Sequence, residues 1–334
     1  MINISTRGGI FQRLSLSKLL LLSILVLFLS TASSCSESDP ESEPDPTPSQ
    51  PMPDEPNTDD GPWIDPIFAQ VLQDKGYISD AATVTPDDVA HIEALGVDGD
   101  GPENPGPLTS LKGIEYFTSL RSLTCRGNKI TQLDLSKNIN LEDCDCSWSE
   151  LKQLELGNLT KLWYLMCMSN PLTQLDVSNT GLRVLVLWGN QLSDLKLNTQ
   201  LEVLECMGNQ LTQLDVSNCT QLYQLLCYEN QLTQLDISKN SEMKTLWCHC
   251  NQIAQLDTSN STQLETLLCG SNQLTQLDIS KCSQLKSLNC AENPGKNGKF
   301  PIKAWFDNSN VPIGLEYFAS WMYNGSTVIT EFYK

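Results

Sequence analysis

Cysteines are the residues of this 334-residue sequence with the widest chemical potential, and there are thirteen of them. Thiols can bind zinc, attack substrates or form disulfides, according to their spacing. Eight recur about 21 residues apart: Cys125, Cys146, Cys167, Cys206, Cys227, Cys248, Cys269 and Cys290. Leu187 takes the same place in one interval. The interchange with Leu predicts free, buried thiols that act as small apolar core residues.

Motifs for metal binding and catalysis are incomplete. Cys248-His249-Cys250 resembles a metal site, but adjacent side chains on a strand point to opposite faces, and no CxxC or HxxxH completes the set. The only histidines are His91 and His249, and HExxH, GxSxG and phosphate-loop motifs are missing. We predict no bound metal, no cofactor and no enzymatic activity.

The cysteines form one position of a longer repeat. From Leu201 the chain reads LEVLECMGNQLTQLDVSNCTQ, and the pattern restarts at Leu222, Met243 and Leu264. Apolar residues take repeat positions 1, 4, 6, 11, 14 and 16, and Asn takes position 9. Positions 3 to 7 alternate as a strand does, and Asn at position 9 is expected to bond to the backbone where the chain turns. This fixed period is typical of a solenoid, whose units pack only against their neighbours.

The pattern L-x-x-L-x-C-x-x-N-x-L resembles the leucine-rich repeat family. Further copies of the repeat, which we call lines, begin at Leu120, Leu141, Leu162, Leu182 and Leu285, after a degenerate line at Leu108. Cys at position 6 followed by LTQLDVS is similar to the internalin J-type cysteine-ladder repeats of bacterial surface proteins. The resemblance implies an α/β solenoid, a leucine-rich repeat superhelix (horseshoe) with a parallel β-sheet on its concave face.

Segments on either side of the repeats are predicted to cap the solenoid. We place a helical N-terminal cap at 62–107, repeats at 108–293 and a β-rich C-terminal cap at 294–334. Helical spacing predicts one helix over 62–77 and a second from Thr85 through Leu95, with Thr85 as N-cap. An alternating run over 327–333 predicts a strand. The alternative for the C-terminal segment is a separate ligand-binding module.

The N-terminus reads as an export signal. Residues 1–34 combine three basic residues with a short apolar run and fit a signal peptide. Ala32-Ser33-Ser34-Cys35 resembles a bacterial lipoprotein cleavage box, which predicts lipidation of Cys35. The alternative is ordinary signal peptidase cleavage at the same bond. Residues 35–61 form an acidic Pro/Ser linker that is predicted to be disordered.

The net charge and the predicted cellular location limit the possible partners. The net charge of −19 predicts repulsion from nucleic acid and anionic lipid. Ser36-Glu37-Ser38-Asp39 resembles the acidic tag of Bacteroidota-type surface lipoproteins. That resemblance implies a surface-exposed lipoprotein of the cell outer membrane; secretion or a periplasmic location is the alternative. We expect a monomer that meets the membrane only through a lipid anchor.

The candidate binding site lies on the outward side of the predicted sheet. Repeat positions 3, 5, 7 and 8 should pave the concave face, and apolar and aromatic residues are concentrated there. The candidates are Trp148, Tyr164, Met166, Met168, Val186, Trp188, Met207, Tyr228, Trp247 and His249. We expect a partner to dock over Trp188, Tyr228 and Trp247, with Glu205 and Glu229 at the rim. Alternatively, these side chains only pack against one another along the sheet.

These features favour a surface-anchored leucine-rich repeat module that binds an unknown protein or glycan. Protein recognition or adhesion through the concave face is the main hypothesis. The alternatives are a glycan- or nutrient-capture surface lipoprotein and a structural coat protein without a specific ligand.

Overall fold

The computed structural model describes residues 62–101 and 103–334. The predicted signal peptide, Cys35 and the linker up to Gly61 lie outside the described residues. Two α-helices, α1 (Pro66–Asp74) and α2 (Pro86–Val89), precede a 3-10 helix at Ile114–Tyr116. Within the described residues, no helix has the length and apolar character needed to cross a bilayer.

Short strands make up most of the regular structure. In chain order they are β1 (Ala94–Gly96), β2 (Ser122–Thr124), β3 (Gln132–Asp134), β4 (Asp143–Asp145), β5 (Gln153–Glu155), β6 (Tyr164–Met166), β7 (Gln174–Asp176), β8 (Val184–Val186), β9 (Asp194–Lys196), β10 (Val203–Glu205), β11 (Gln224–Leu226), β12 (Thr245–Trp247), β13 (Thr266–Leu268), β14 (Leu277–Asp278), β15 (Ser287–Asn289), β16 (Lys299–Lys303), β17 (Glu316–Tyr317), β18 (Ser320–Tyr323) and β19 (Ser326–Tyr333).

Eleven strands form one parallel sheet, which we call the main sheet. Its order is β1-β2-β4-β6-β8-β10-β11-β12-β13-β15-β17. The register stacks equal repeat positions, so that Leu204 faces Leu225 and Leu225 faces Leu246. These position-4 leucines point inward and are fully buried. The predicted solenoid of stacked parallel strands is confirmed.

The first coil begins earlier than the sequence pattern indicates. The N-cap at Thr85 is present, but α2 ends at Val89, and Leu95 lies in β1 opposite Leu123. The predicted helix through Leu95 is therefore wrong, because pairing with β2 buries Leu95 better than one more helical turn would. Leu108 makes the bonds of a position-11 residue: its carbonyl accepts from Lys129 N (2.9 Å). The coil that contains Leu108 thus starts at Ile92.

Position 6 lines the core beside the position-4 leucines. All eight cysteines there are buried, as is Leu187 in the same position, which confirms the prediction of free, buried thiols. Burial raises the pKa of Cys206 and of Cys248 to about 12. Hydrogen bonds from Cys144 and Cys167 lower the pKa of Cys146, which is equally buried.

Asparagine at position 9 ties neighbouring coils together. Asn230 donates through Nδ2 to the carbonyls of Cys206 (3.0 Å) and Cys227 (3.1 Å), and its Oδ1 accepts from Leu211 N (3.1 Å). Each amide thus satisfies buried backbone groups of two coils, as the sequence predicts. The same bonds recur at Asn170, Asn209, Asn251 and Asn272. Ser149 interrupts the series.

Position 8 has a left-handed backbone in every line from Leu120 to Leu285. Its φ is +65° at Gly127, +51° at Trp148 and +53° at Glu229. This conformation costs a non-glycine residue about 1–2 kcal/mol, so the turn must be imposed by what surrounds it. A position-9 asparagine supplies that constraint by donating to the position-6 carbonyl before the turn, as Asn230 does to Cys227 (3.1 Å). Where Ser149 follows Trp148, Asn170 of the next coil accepts from Ser149 N (3.1 Å) and donates to the carbonyl of Cys146 (3.1 Å).

A second sheet closes the C-terminal end. Its order is β14-β16-β19-β18, with β16 parallel to β19 and β18 antiparallel to it. The predicted strand over 327–333 is present as β19, where Val328, Thr330 and Phe332 are buried and Ile329 is exposed. Trp321 anchors β18 to the solenoid through Nε1, which donates to the carbonyl of Asn293 (3.0 Å).

Substitution of a mid-solenoid cysteine tests the core assignment. We expect Cys227→Asp to lower the free energy of unfolding by several kcal/mol, because it places a carboxyl in a fully buried slot without a partner. Cys227→Leu should cost much less, since Leu187 fills the equivalent slot. Urea unfolding of both variants measures the difference, and equal losses would show that position 6 is not a core position.

Candidate binding surface

The outward side of the main sheet carries the candidate residues. We call the side chains at positions 3, 5 and 7 of this sheet the sheet face. The strand register aligns its position-5 row as Met166, Val186, Glu205, Leu226 and Trp247. The row crosses five strands, a span of roughly 19 Å at 4.8 Å per strand. On the convex side, positions 12 and 13, such as Thr212 and Gln213, are exposed and polar.

Three rings at one end of the row form an aromatic cluster. Tyr228 stacks on His249, with ring centroids 4.3 Å apart and planes 11° apart. Trp247 lies 6.2 Å from Tyr228 at 45°. These separations fall in the range at which ring pairs stabilise one another beyond their buried area. The cluster, made of residues from two neighbouring coils, is the densest contact among the predicted site residues.

The remaining candidates are placed along the same surface. Tyr164 donates through its hydroxyl to the sulfur of Met166 (2.8 Å). Met168, Val186 and Met207 are buried, whereas Trp188 is half-buried and continues the position-7 row toward Tyr228. Trp148 occupies the left-handed position 8 at the edge of β4 and is also half-buried. None of the ten residues is fully exposed.

Glu205 does not lie at a rim, which corrects the expected placement. It is 3% exposed, in the middle of the position-5 row between Val186 and Leu226. Its carboxylate accepts a hydrogen bond from Gln224 Nε2 (3.0 Å). Glu229, in contrast, is exposed beside the aromatic cluster. The apolar surface therefore has one buried acidic group inside it and a second, exposed one at its border.

Two ring nitrogens of the aromatic cluster lack hydrogen-bond partners. Among the described residues, Trp247 Nε1 and His249 Nδ1 are buried atoms with no hydrogen-bond partner. Burial raises the pKa of Tyr228 to about 12 and lowers that of His249 to about 4. At neutral pH the cluster is therefore uncharged, and both ring nitrogens are covered by protein. Sequence reasoning named both residues but not these atoms, since strand alternation gives direction and not hydrogen bonding.

An acidic group of residues borders the N-terminal end of the sheet face. Asp98 and Asp145 lie 3.5 Å and 3.9 Å from the Arg126 guanidinium. Burial raises the pKa of Asp98 despite this partner. Within residues 62–101 and 103–334, no three His, Cys, Asp or Glu side chains converge as a metal site would require. The Arg126 pairings therefore join neighbouring coils.

The buried histidine predicts a pH dependence of stability. His249 has a folded-state pKa of about 4, below the ordinary 6.5. The unfolded chain therefore takes up a proton first as the pH falls, so the contribution of neutral His249 is complete above pH 6.5 and is lost toward pH 4. We expect His249→Gln to reduce the fall in melting temperature across that range. His91→Gln, at an exposed position, is the control. Equal pH profiles for wild type and His249→Gln would contradict the assignment.

Solved structures show the same architecture. The functional domain of InlJ from Listeria monocytogenes, which includes a cysteine ladder, is 31% identical, with a TM-score of 0.55. The alignment covers 72% of this chain and 55% of that domain, so this chain spans little more than half of its length.

YopM from Yersinia enterocolitica is 22% identical over 64% of this chain and 47% of its own, with a TM-score of 0.51, and supports the fold alone. No family model and no curated protein matches the sequence. The stacked parallel strands, the regular Cys and Asn positions and the likeness to these solved structures together show that the chain has the leucine-rich repeat fold.

Proposed function

We propose that the chain is a binding module that recognises a protein through the sheet face. The observation that carries the proposal is the half-buried aromatic cluster of Tyr228, Trp247 and His249 on the sheet face. The three rings would provide the apolar contact area for a partner.

The extent of the surface favours a protein over a small molecule. Aromatic, Met and aliphatic side chains continue from Tyr164 in β6 to Leu268 in β13, over successive strands. Trp, Tyr and Met are enriched at protein contacts, and a partner helix or loop can follow a row of this length. The likeness to the InlJ domain, another repeat protein with a cysteine ladder, supports a module of the same kind.

Removal of the three largest rings tests the proposal. We expect Trp188→Ala, Tyr228→Ala and Trp247→Ala, combined in the full chain, to abolish saturable capture of protein partners from host-surface extracts. Far-UV circular dichroism should be retained, because none of the three side chains belongs to the buried core of the solenoid. Some loss of melting temperature is expected from the broken Tyr228–His249 stack.

The matched control is a triple change on the convex side, Thr212→Ala, Gln213→Ala and Gln234→Ala, at exposed positions of two coils in the same part of the solenoid. It should leave capture unchanged. If capture survived in the aromatic variant, the binding surface would lie elsewhere. If the wild type bound immobilised glycans instead of proteins, the sheet face would be a carbohydrate site and the proposal would be wrong.

We further propose that the module is exported, lipidated at Cys35 and displayed at the cell surface, with adhesion as the consequence of recognition. The basic residues, apolar run and small residues before Cys35 support this proposal. Radiolabelled fatty acid should enter the wild type and not Cys35→Ser, and protease added to intact cells should degrade the wild type. Equal label in both proteins would contradict lipidation.

A further inference from the structure

Among the described residues, most of the exposed large apolar side chains lie at the C-terminal end and not on the sheet face. Nine large apolar side chains are exposed among the described residues, and six of them fall within residues 313–333. We call these six the C-terminal patch: Ile313, Tyr317, Phe318, Met322, Ile329 and Tyr333. Met322 is 61% exposed and Ile329 is 55% exposed. Contiguous exposed apolar surface of this kind usually marks a contact with another molecule.

The geometry of the second sheet explains why this patch faces solvent. In β19, Val328 and Phe332 point toward the solenoid, which leaves Ile329 on the outer side. In the antiparallel pair, Trp321 lies opposite Val328 on the inner side and Met322 lies opposite Thr327 on the outer side. Met322, Ile329 and Tyr333 of the patch therefore lie on the outer surface of a sheet whose inner surface covers the last coil, while Tyr317 lies in β17 of the main sheet with its ring 5.0 Å from that of Phe332.

The same sheet has an open edge next to the patch. The strand order β14-β16-β19-β18 leaves β18 paired on one side only. An edge strand presents backbone N–H and C=O groups that can pair with another strand, and exposed apolar side chains beside it strengthen such pairing. On this edge, Met322 is exposed and Ser320 is exposed, so no bulky charge protects it.

The charge distribution identifies the partner that fits best. Residues 294–334 contain four lysines and three acidic residues, whereas the whole chain carries −19. Three of those lysines are neutralised by ion pairs: Lys299 with Glu331 (2.9 Å), Lys303 with Asp278 (3.3 Å) and Lys334 with Asp307 (3.5 Å). This surface is thus nearly neutral, and two copies of an otherwise acidic chain can meet there with the least repulsion.

We propose that the C-terminal patch is the interface between two copies of this chain. The β18 strands of the two copies pair antiparallel across a two-fold axis, and the two four-stranded sheets join into one. A two-fold contact is self-complementary, which an antiparallel edge pair satisfies without any other partner. Met322 of each copy then lies near the β18 strand of the other. This inference departs from the monomer expected from the sequence and is independent of the sheet face.

The test measures the mass of the full chain in solution by light scattering, over a dilution series. All proteins carry Cys35→Ser, so that lipid contributes nothing to association. The wild-type background is expected at twice the 37.1 kDa chain mass. Met322→Lys and Met322→Glu should each give monomers, because like charges then face each other across the two-fold axis. An equimolar mixture of the two variants should restore the dimer.

The control is Ile139→Lys, which places the same charge on an exposed isoleucine in the repeats. Ile139→Lys should remain dimeric. At dilutions at which all three variants are monomeric, their melting temperatures should match. A monomeric wild type would overturn the proposal. So would association that is unaffected by either charge at Met322, or a mixture of the two variants that stays monomeric.

Discussion

The amide of the position-9 asparagine is the interaction on which the rest of this structure depends. In a solenoid with three-residue strands, most of each coil is turn, and its backbone groups cannot all be met by sheet bonds. The side chain of Asn230 donates hydrogen bonds to the carbonyls of Cys206 and Cys227 and accepts one from the backbone N–H of Leu211. One side chain therefore fixes where a coil leaves its strand and how far it lies from the preceding coil.

This constraint also determines what the protein can present to a partner. The left-handed residue at position 8 turns the chain away from the strand directly after position 7, so position 7 is the last side chain of each coil on the sheet face. Tyr228 and His249 occupy this place in neighbouring coils, and the common geometry stacks their rings. The arrangement of the sheet face is thus a product of the turn, and its spacing follows from the stacked coils and not from contacts among the rings.

Most of the fold could be predicted because a 21-residue period leaves few alternatives. The parallel sheet, the buried Cys row and the Asn bonds all follow from side-chain alternation and repetition. The start of the repeats was missed, since Leu95 has both a helical spacing and a strand position, and only pairing with Leu123 decides between them. The left-handed turn was missed because Trp, Ser, Gly, Glu and Cys share position 8 without a common sequence signal.

The sequence predicted to which side of the sheet the candidate side chains point, but not how deeply they are buried. Alternation states that Glu205 points out of the sheet, yet its exposure depends on its neighbours, and Gln224, Val186 and Leu226 flank it. A carboxylate in such a place needs hydrogen-bond donors, and Gln224 supplies one. Strand alternation gives the direction of a side chain but not the donors and apolar neighbours that surround it, so the burial of Glu205 could not be predicted from the sequence.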